Sequence, residues 1–131
     1  MSHVTKISVE IKNLDALSKA CEELGLQLNI GQTKFRWYAG NQGNCLHAIT
    51  IPGNTSAYEI GVQRNGDGFR LETDFYAGGK GLVAKVGNKA EKLIEEYTAQ
   101  VTIQSVEEMG FEVAGRELTG DGTIQLEFVQ Y

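Results

Sequence analysis

Polar and apolar residues alternate from the first strand-length stretch. Ile7, Val9 and Ile11 point one way and Lys6, Ser8 and Glu10 the other, the period of a half-buried β-strand. The period then changes. Leu14, Leu17, Ala20, Cys21 and Leu24 recur at helical spacing, with Asn13 placed as N-cap, Asp15 in the first turn and Gly25 as the stop. A second strand follows with Leu26, Leu28 and Ile30 on one face. Residues 33–39, carrying Phe35, Trp37 and Tyr38, predict a third. Ala39 to Asn44 is rich in Gly and Asn, which tolerate positive φ, and predicts a loop. A short apolar strand, Leu46 to Ile51, ends at Pro52-Gly53.

The clearest local signal comes next. Tyr58, Ile60 and Val62 alternate with other residues, Asn65-Gly66-Asp67-Gly68 turns the chain, and Phe69, Leu71, Thr73 and Phe75 alternate again. Two such runs around an Asn-Gly-Asp-Gly turn predict a β-hairpin. Between residues 78 and 110, Val86, Ala90, Leu93, Ile94, Tyr97 and Val101 have helical spacing, with charged residues placed for solvent. Tyr97, Ala99, Val101 and Ile103 also alternate, so a strand over 97–103 is an alternative. Helix to Met109, stopped by Gly110, is preferred because no turn signal follows Glu96. Phe111, Val113 and Leu118, then Gly120-Asp121-Gly122, then Ile124, Leu126 and Phe128 predict a second hairpin.

Cys21-Glu22-Glu23-Leu24-Gly25-Leu26 is echoed by Val106-Glu107-Glu108-Met109-Gly110-Phe111, each a helix end, a glycine stop and a strand start. The echo suits a pseudo-duplicated sheet, although glycine-stopped junctions are common in themselves. The fold class these elements predict is α+β: a mainly antiparallel sheet of roughly five to seven strands with two helices packed on one face.

The chain of 131 residues has the size of one domain over 1–131, and its 41% hydrophobic and 22% charged residues fit a globular protein. A net charge of −5, without a clustered Lys/Arg stripe, argues against nucleic acid as a partner. No apolar run reaches membrane-spanning length, and the N-terminus lacks the apolar region of a signal peptide. A cytoplasmic location is expected. Two cysteines without CxxC spacing, Cys21 and Cys45, predict separate reduced thiols.

Candidate chemistry is thin. Gly78-Gly79-Lys80-Gly81 before a helix invites a phosphate loop, but Lys80 is followed by Gly81 rather than Ser or Thr, and a flexible linker is the plainer expectation. His3 and His47 are the only histidines, and no ligand spacing predicts a metal. Cys45 and His47, two residues apart in a strand, would face one side and could form a catalytic couple. Ordinary strand residues are the plainer account, and no catalytic residue or cofactor is assigned. Asp67 and Asp121 sit in glycine-flanked turns where Asp serves the backbone. Asp74, beside Phe75 and Tyr76, has no such explanation. Phe35, Trp37, Tyr38, Phe75 and Tyr76, with Arg36, Arg64 and Arg70 near them in sequence, could line a recognition surface or simply pack the core. The candidate binding residues are therefore Trp37, Tyr38, Arg64, Asp74, Tyr76 and Lys80.

Several stretches resemble a known family. They are Met1-Ser2-His3 with the first strand and Asn13 to Leu17; Tyr58 to Val62; Asp67-Gly68; Asp74-Phe75-Tyr76; Glu96-Tyr97; Gly110-Phe111; and Asp121 to Leu126. Together they span nearly the whole chain and look like the uncharacterised family of hypothetical chloroplast reading frame thirty-five, the domain of unknown function twelve fifty-seven. The resemblance implies a bacterial, phage, cyanobacterial or plastid source, hence plastid stroma as the alternative location, and supports helix over strand at 97–109. It carries over no reaction or ligand. Residues 77–88 depart from the family pattern in their glycine content. The function expected is a non-catalytic accessory module that docks a protein partner or self-associates. A small anionic-ligand-binding protein is the alternative, and a Cys/His-dependent enzyme stands third.

Overall fold

The structure, a computed structural model, describes residues 4–121 and 123–130. Met1, Ser2 and His3 of the family resemblance, and Gly122 of the last turn, lie outside the described residues, as does the side chain of Ser8. The chain runs β1 (Thr5–Ile11), α1 (Leu14–Glu23), β2 (Gln27–Ile30), β3 (Lys34–Arg36), β4 (Gln42–Asn44), β5 (His47–Thr50), β6 (Ile60–Asn65), β7 (Gly68–Thr73), α2 (Leu82–Val86), α3 (Glu91–Glu108), β8 (Phe111–Leu118) and β9 (Ile124–Gln130). Five strands form one antiparallel sheet in the order β1-β7-β6-β5-β2, and β3-β4 and β8-β9 form separate two-stranded ribbons. The α+β class stands as the sequence predicts, with three helices where it predicts two, since the short α2 also packs Leu82 and Val86 into the core.

One face of the sheet presents Ile7, Leu71, Val62, Ile60 and Ile49 to Leu17, Ala20 and Cys21 of α1 and to Leu93 and Tyr97 of α3, and all of these are buried. Asn13 caps α1 as expected, its Oδ1 accepting the Ala16 N–H at 2.9 Å. Tyr97 ties this junction to α3: its hydroxyl oxygen accepts the Lys12 and Asn13 N–H groups at 3.1 and 3.2 Å. Two donors that precede the first helical turn are thereby satisfied from another element.

The second face of the sheet is covered in part by the β3-β4 ribbon. Phe35 is 2% exposed and packs with Cys45, Ala48 and Trp37. Its ring lies against Gly61 of β6, where an added Cβ would come within 2.5 Å of it. Gly43 of β4 is confined similarly, a Cβ there meeting both Phe35 and Trp37 at 2.8 Å. This is why residues 42–44 form a strand where the sequence predicts a loop. The missing side chain makes room for two aromatic rings, and Lys34 to Arg36 pair with Asn44 to Gln42.

Residues 97–109 are helical through Glu108, so the strand alternative falls away. The predicted helix from Val86 is nevertheless interrupted. Gly87 takes φ 87°, Lys89 and Ala90 take φ 54° and 61°, and α3 begins only at Glu91. The two glycine-stopped junctions match closely. Leu24 and Gly25 donate to Cys21 and Glu22, as Met109 and Gly110 donate to Val106 and Glu107. The likeness ends there, since β2 joins the large sheet and β8 pairs only with β9.

Gly61→Ala is expected to destabilise the protein by about 1–3 kcal/mol, the cost of overpacking a filled site. Phe35→Leu in the same chain should return part of that loss, measured as a coupling energy in a chemical-denaturation cycle.

Candidate functional site

The β6-β7 hairpin fixes the site. Asn65 pairs with Gly68 across a two-residue turn that places Gly66, at φ 63°, first. The register runs back through Val62↔Leu71 to Gly61↔Glu72, so the chain entering β6 and the chain leaving β7 emerge side by side. Tyr58 and Asp74 occupy those two positions, 3% and 2% exposed. Thr73 Oγ1 donates to the Glu59 carbonyl at 2.8 Å and holds the two segments together.

After Asp74 the backbone turns in an unusual way. Ala77, Gly78, Gly79 and Lys80 take φ between 50° and 75°, and Gly81 takes 111°. Four consecutive residues near the left-handed helical region amount to a left-handed turn, at roughly 1–2 kcal/mol for each of the two non-glycine residues. The turn is anchored inward. Gly79 is buried, and its carbonyl accepts the Tyr58 N–H at 2.9 Å. Asn54 Nδ2 donates to the Lys80 carbonyl at 3.4 Å. The stretch expected as a flexible linker is a pinned structural turn. α2 behind it has only five residues, and the contacts just named use carbonyls rather than amides facing a ligand.

Around this turn four side chains converge. Tyr38 and Tyr76, 40% and 46% exposed, meet edge to face with ring centroids 5.3 Å apart. Burial first, then the Asp74 carboxylate and then Tyr38 and Tyr76, raise the Tyr58 hydroxyl above the usual tyrosine pKa. Asp74 Oδ1 accepts the Tyr76 N–H at 2.9 Å. Its Oδ2 is buried and has no hydrogen-bond partner among the described residues. Arg36 adjoins the same strand entry. Its Nη2 donates to the Ala57 carbonyl at 2.7 Å, its Nη1 lies 3.9 Å from Glu59 Oε2, and its buried Nε is likewise without a partner among the described residues.

Of the residues singled out from sequence, Tyr38, Asp74 and Tyr76 come together here, and Lys80 sits exposed in the adjoining turn. Trp37 is half-buried against Phe35, ring centroids 5.2 Å apart, and serves packing. Arg64 lies over Phe69 at 4.7 Å, four residues or roughly 13 Å along β6 from its start. It belongs to the far end of the hairpin. Tyr58 is the member that pattern reading takes for a strand-face residue only. The hairpin register, legible from the turn, places it beside Asp74 and was the signal available.

Cys45 and His47 separate. Leu46 N–H bonds the Val62 carbonyl and β5 begins at His47, so Cys45 falls outside the strand's alternation. Cys45 packs with Phe35 and Ala48, its Sγ donating to the Gln32 carbonyl at 3.1 Å. His47 accepts the Gly31 N–H at Nδ1 and stacks 5.8 Å from Phe69 on the other face. Burial, then the Glu59 carboxylate, push the Cys45 thiol up to about 11, and burial with Glu22 pushes Cys21 up to about 12. Both cysteines are free and buried. Asp121 keeps its turn role, accepting the Thr123 N–H at 3.1 Å, and hydrogen bonds from Thr119 and Thr123 lower its pKa. Among the described residues, no three His, Cys, Asp or Glu side chains cluster to hold a metal ion, and no helix is long and apolar enough to cross a membrane.

A thiol at about 11 carries about a hundredfold less thiolate at pH 7 than one at the ordinary 9.0. Labelling of the folded protein with a neutral thiol reagent should be slower than that of a small free thiol by about that factor, and should rise with pH up to the thiol's own pKa. Fast labelling of Cys45 at pH 7 would contradict this.

Neither the curated proteins nor the solved structures contain a match to this sequence. The family model described as "Protein of unknown function (DUF1257)" does match, over residues 20–127, a span that includes the Tyr38, Tyr58, Asp74 and Tyr76 cluster. The chain belongs to that family.

Proposed function

We propose that the protein is a non-catalytic interaction module that docks a protein partner on the rim formed by Tyr38 and Tyr76 beside Asp74. One observation carries this reading: two exposed tyrosines, Tyr38 and Tyr76, meet edge to face beside the buried Asp74, which accepts the Tyr76 N–H. The tyrosines supply rigid contact area with little rotamer entropy to lose. The strained turn at 77–81 supports the same location, since backbone strain of this kind gathers at ligand clamps. An anionic ligand at the glycine-rich turn suits the site less, because Asp74 stands at its entry. A Cys/His enzyme has no assembled pair to work with.

The test compares wild type with a Tyr38→Ala/Tyr76→Ala variant as bait in extracts of the source organism, alongside sedimentation of each alone. One defined protein should be retained by wild type and reduced about tenfold or more by the variant, at an unchanged melting temperature. Equal retention by both baits would overturn the proposal. Concentration-dependent dimerisation lost in the variant would replace the partner by a second copy.

A further inference from the structure

A groove between α1, α3 and the β8-β9 ribbon shares no residue with the tyrosine rim. We infer that it binds a basic, amphipathic segment of a partner protein, one that sets Lys or Arg side chains on either side of an apolar one. The groove has a volume of about 670 Å³, within the roughly 300–1,000 Å³ of ordinary ligand clefts. Two ties hold the ribbon to α3 along it: the Ile124 N–H donates to Glu95 Oε1 at 2.9 Å, and Arg116 pairs with Glu96. The ties leave a gap between the ribbon and the end of α1, where Glu23 and Leu24 stand.

The floor is apolar. Leu118 and Ile124 are register partners across the ribbon, so their side chains share one face, and both line the groove. Leu24 lines it from the C-cap of α1. Leu118 is 72% exposed, more than any other large apolar side chain among the described residues, and a partner seated here would bury it.

The rim is acidic. Six lining residues are acidic and two basic, so the groove holds four of the chain's five net negative charges. Three of the acids are already engaged, Glu95 and Glu96 in the two ties and Asp121 in its turn. Glu23 of α1, Glu91 of α3 and Glu117 of β8 are exposed, and their carboxylates have no ion-pair or hydrogen-bond partner among the described residues. They come from three elements far apart in sequence, so their convergence is a product of the fold and not of a charged run. Of the two basic residues Arg116 is committed to Glu96, which leaves Lys92 to balance three carboxylates.

This distribution selects the ligand. A metal ion needs several ligands converging on one point, and among the described residues no such group of three exists. Charges spaced around an apolar floor match a chain that carries its cations apart, with an apolar side chain between them. A polyamine supplies the cations but leaves Leu118 in water. A cleft of one sign also raises the local concentration of basic segments and speeds their encounter.

The probe is the capped peptide Lys-Leu-Gly-Leu-Lys-Gly-Lys, titrated into the full chain while backbone amides are followed by NMR. Saturable shifts should centre on Glu91, Glu95, Leu118 and Ile124. The same peptide with Ser in place of Leu, and spermidine of equal charge, should each bind about tenfold or more weakly, having no apolar side chain to bury. The peptide with Glu in place of Lys should not bind. Glu23→Gln/Glu91→Gln/Glu117→Gln and Leu118→Ser should each weaken the probe about tenfold or more. Their melting temperatures should be unchanged, because these side chains are exposed. Glu22→Gln/Glu112→Gln/Glu127→Gln removes as much charge away from the groove and should leave binding within about twofold. No saturable shift, shifts centred elsewhere, equal binding of spermidine or the Ser peptide, or an equal loss in the off-groove variant would overturn the assignment. None of these outcomes bears on the tyrosine rim, whose own test uses other residues.

Discussion

Helix α3 is buried on two sides, and the layering of the molecule depends on that. Leu93 and Tyr97 face α1 and the sheet, and Glu96, Ala99 and Gln100 are buried on a neighbouring face that meets the β8-β9 ribbon. The two faces use different chemistry. The first is an apolar contact finished by the Tyr97 hydroxyl at the α1 junction. The second is polar: Arg116 of β8 pairs with Glu96, Gln100 Nε2 donates to Glu96 at 3.3 Å, and the Ile124 N–H donates to Glu95 at 2.9 Å. An isolated two-stranded ribbon is marginal in water, so β8-β9 owes its order to what α3 offers it. A buried carboxylate without Arg116 would be strongly unfavourable, which makes this ion pair a condition of docking rather than an ornament of it.

The candidate site belongs to the opposite end of the sheet's logic. It arises where β6 begins and β7 ends, so two rigid paired strands deliver Tyr58 and Asp74 with little freedom. Asp74 Oδ1, accepting the Tyr76 N–H, holds Tyr76 beside it just ahead of the left-handed turn, and the β3-β4 ribbon delivers Tyr38 to meet the Tyr76 ring. Phe35 on Gly61 sets how closely that ribbon can approach. A packing contact thereby fixes the spacing of a surface feature.

Much of this was legible in the sequence, for identifiable reasons. The β6-β7 hairpin was legible because turn chemistry and alternation agree, and α1 because its cap, apolar stripe and glycine stop agree. The ambiguity at 97–103 came from α3 itself: burial on two faces blurs the helical period until Tyr97, Ala99, Val101 and Ile103 read as a strand. β4 was hidden because Gly43 earns its place by having no side chain. The turn at 77–81 was hidden because Ala77 and Lys80 are not residues that announce positive φ. Within the site, Tyr38, Asp74 and Tyr76 stood out as chemistry without an evident structural duty. Trp37 and Arg64 were grouped with them by proximity along the chain, which the pairing of strands does not preserve. Cys45 and His47 parted because the chain bends before β5 begins.

The dependence of the C-terminal ribbon on α3 is most directly tested by amide hydrogen exchange in Arg116→Ala. The amides of β8 and β9 should lose most of their protection while those of α1, β6 and β7 keep theirs, because the sheet-side face of α3 does not involve Arg116. Protection of the ribbon unchanged from wild type, or lost together with that of the five-stranded sheet, would contradict the account.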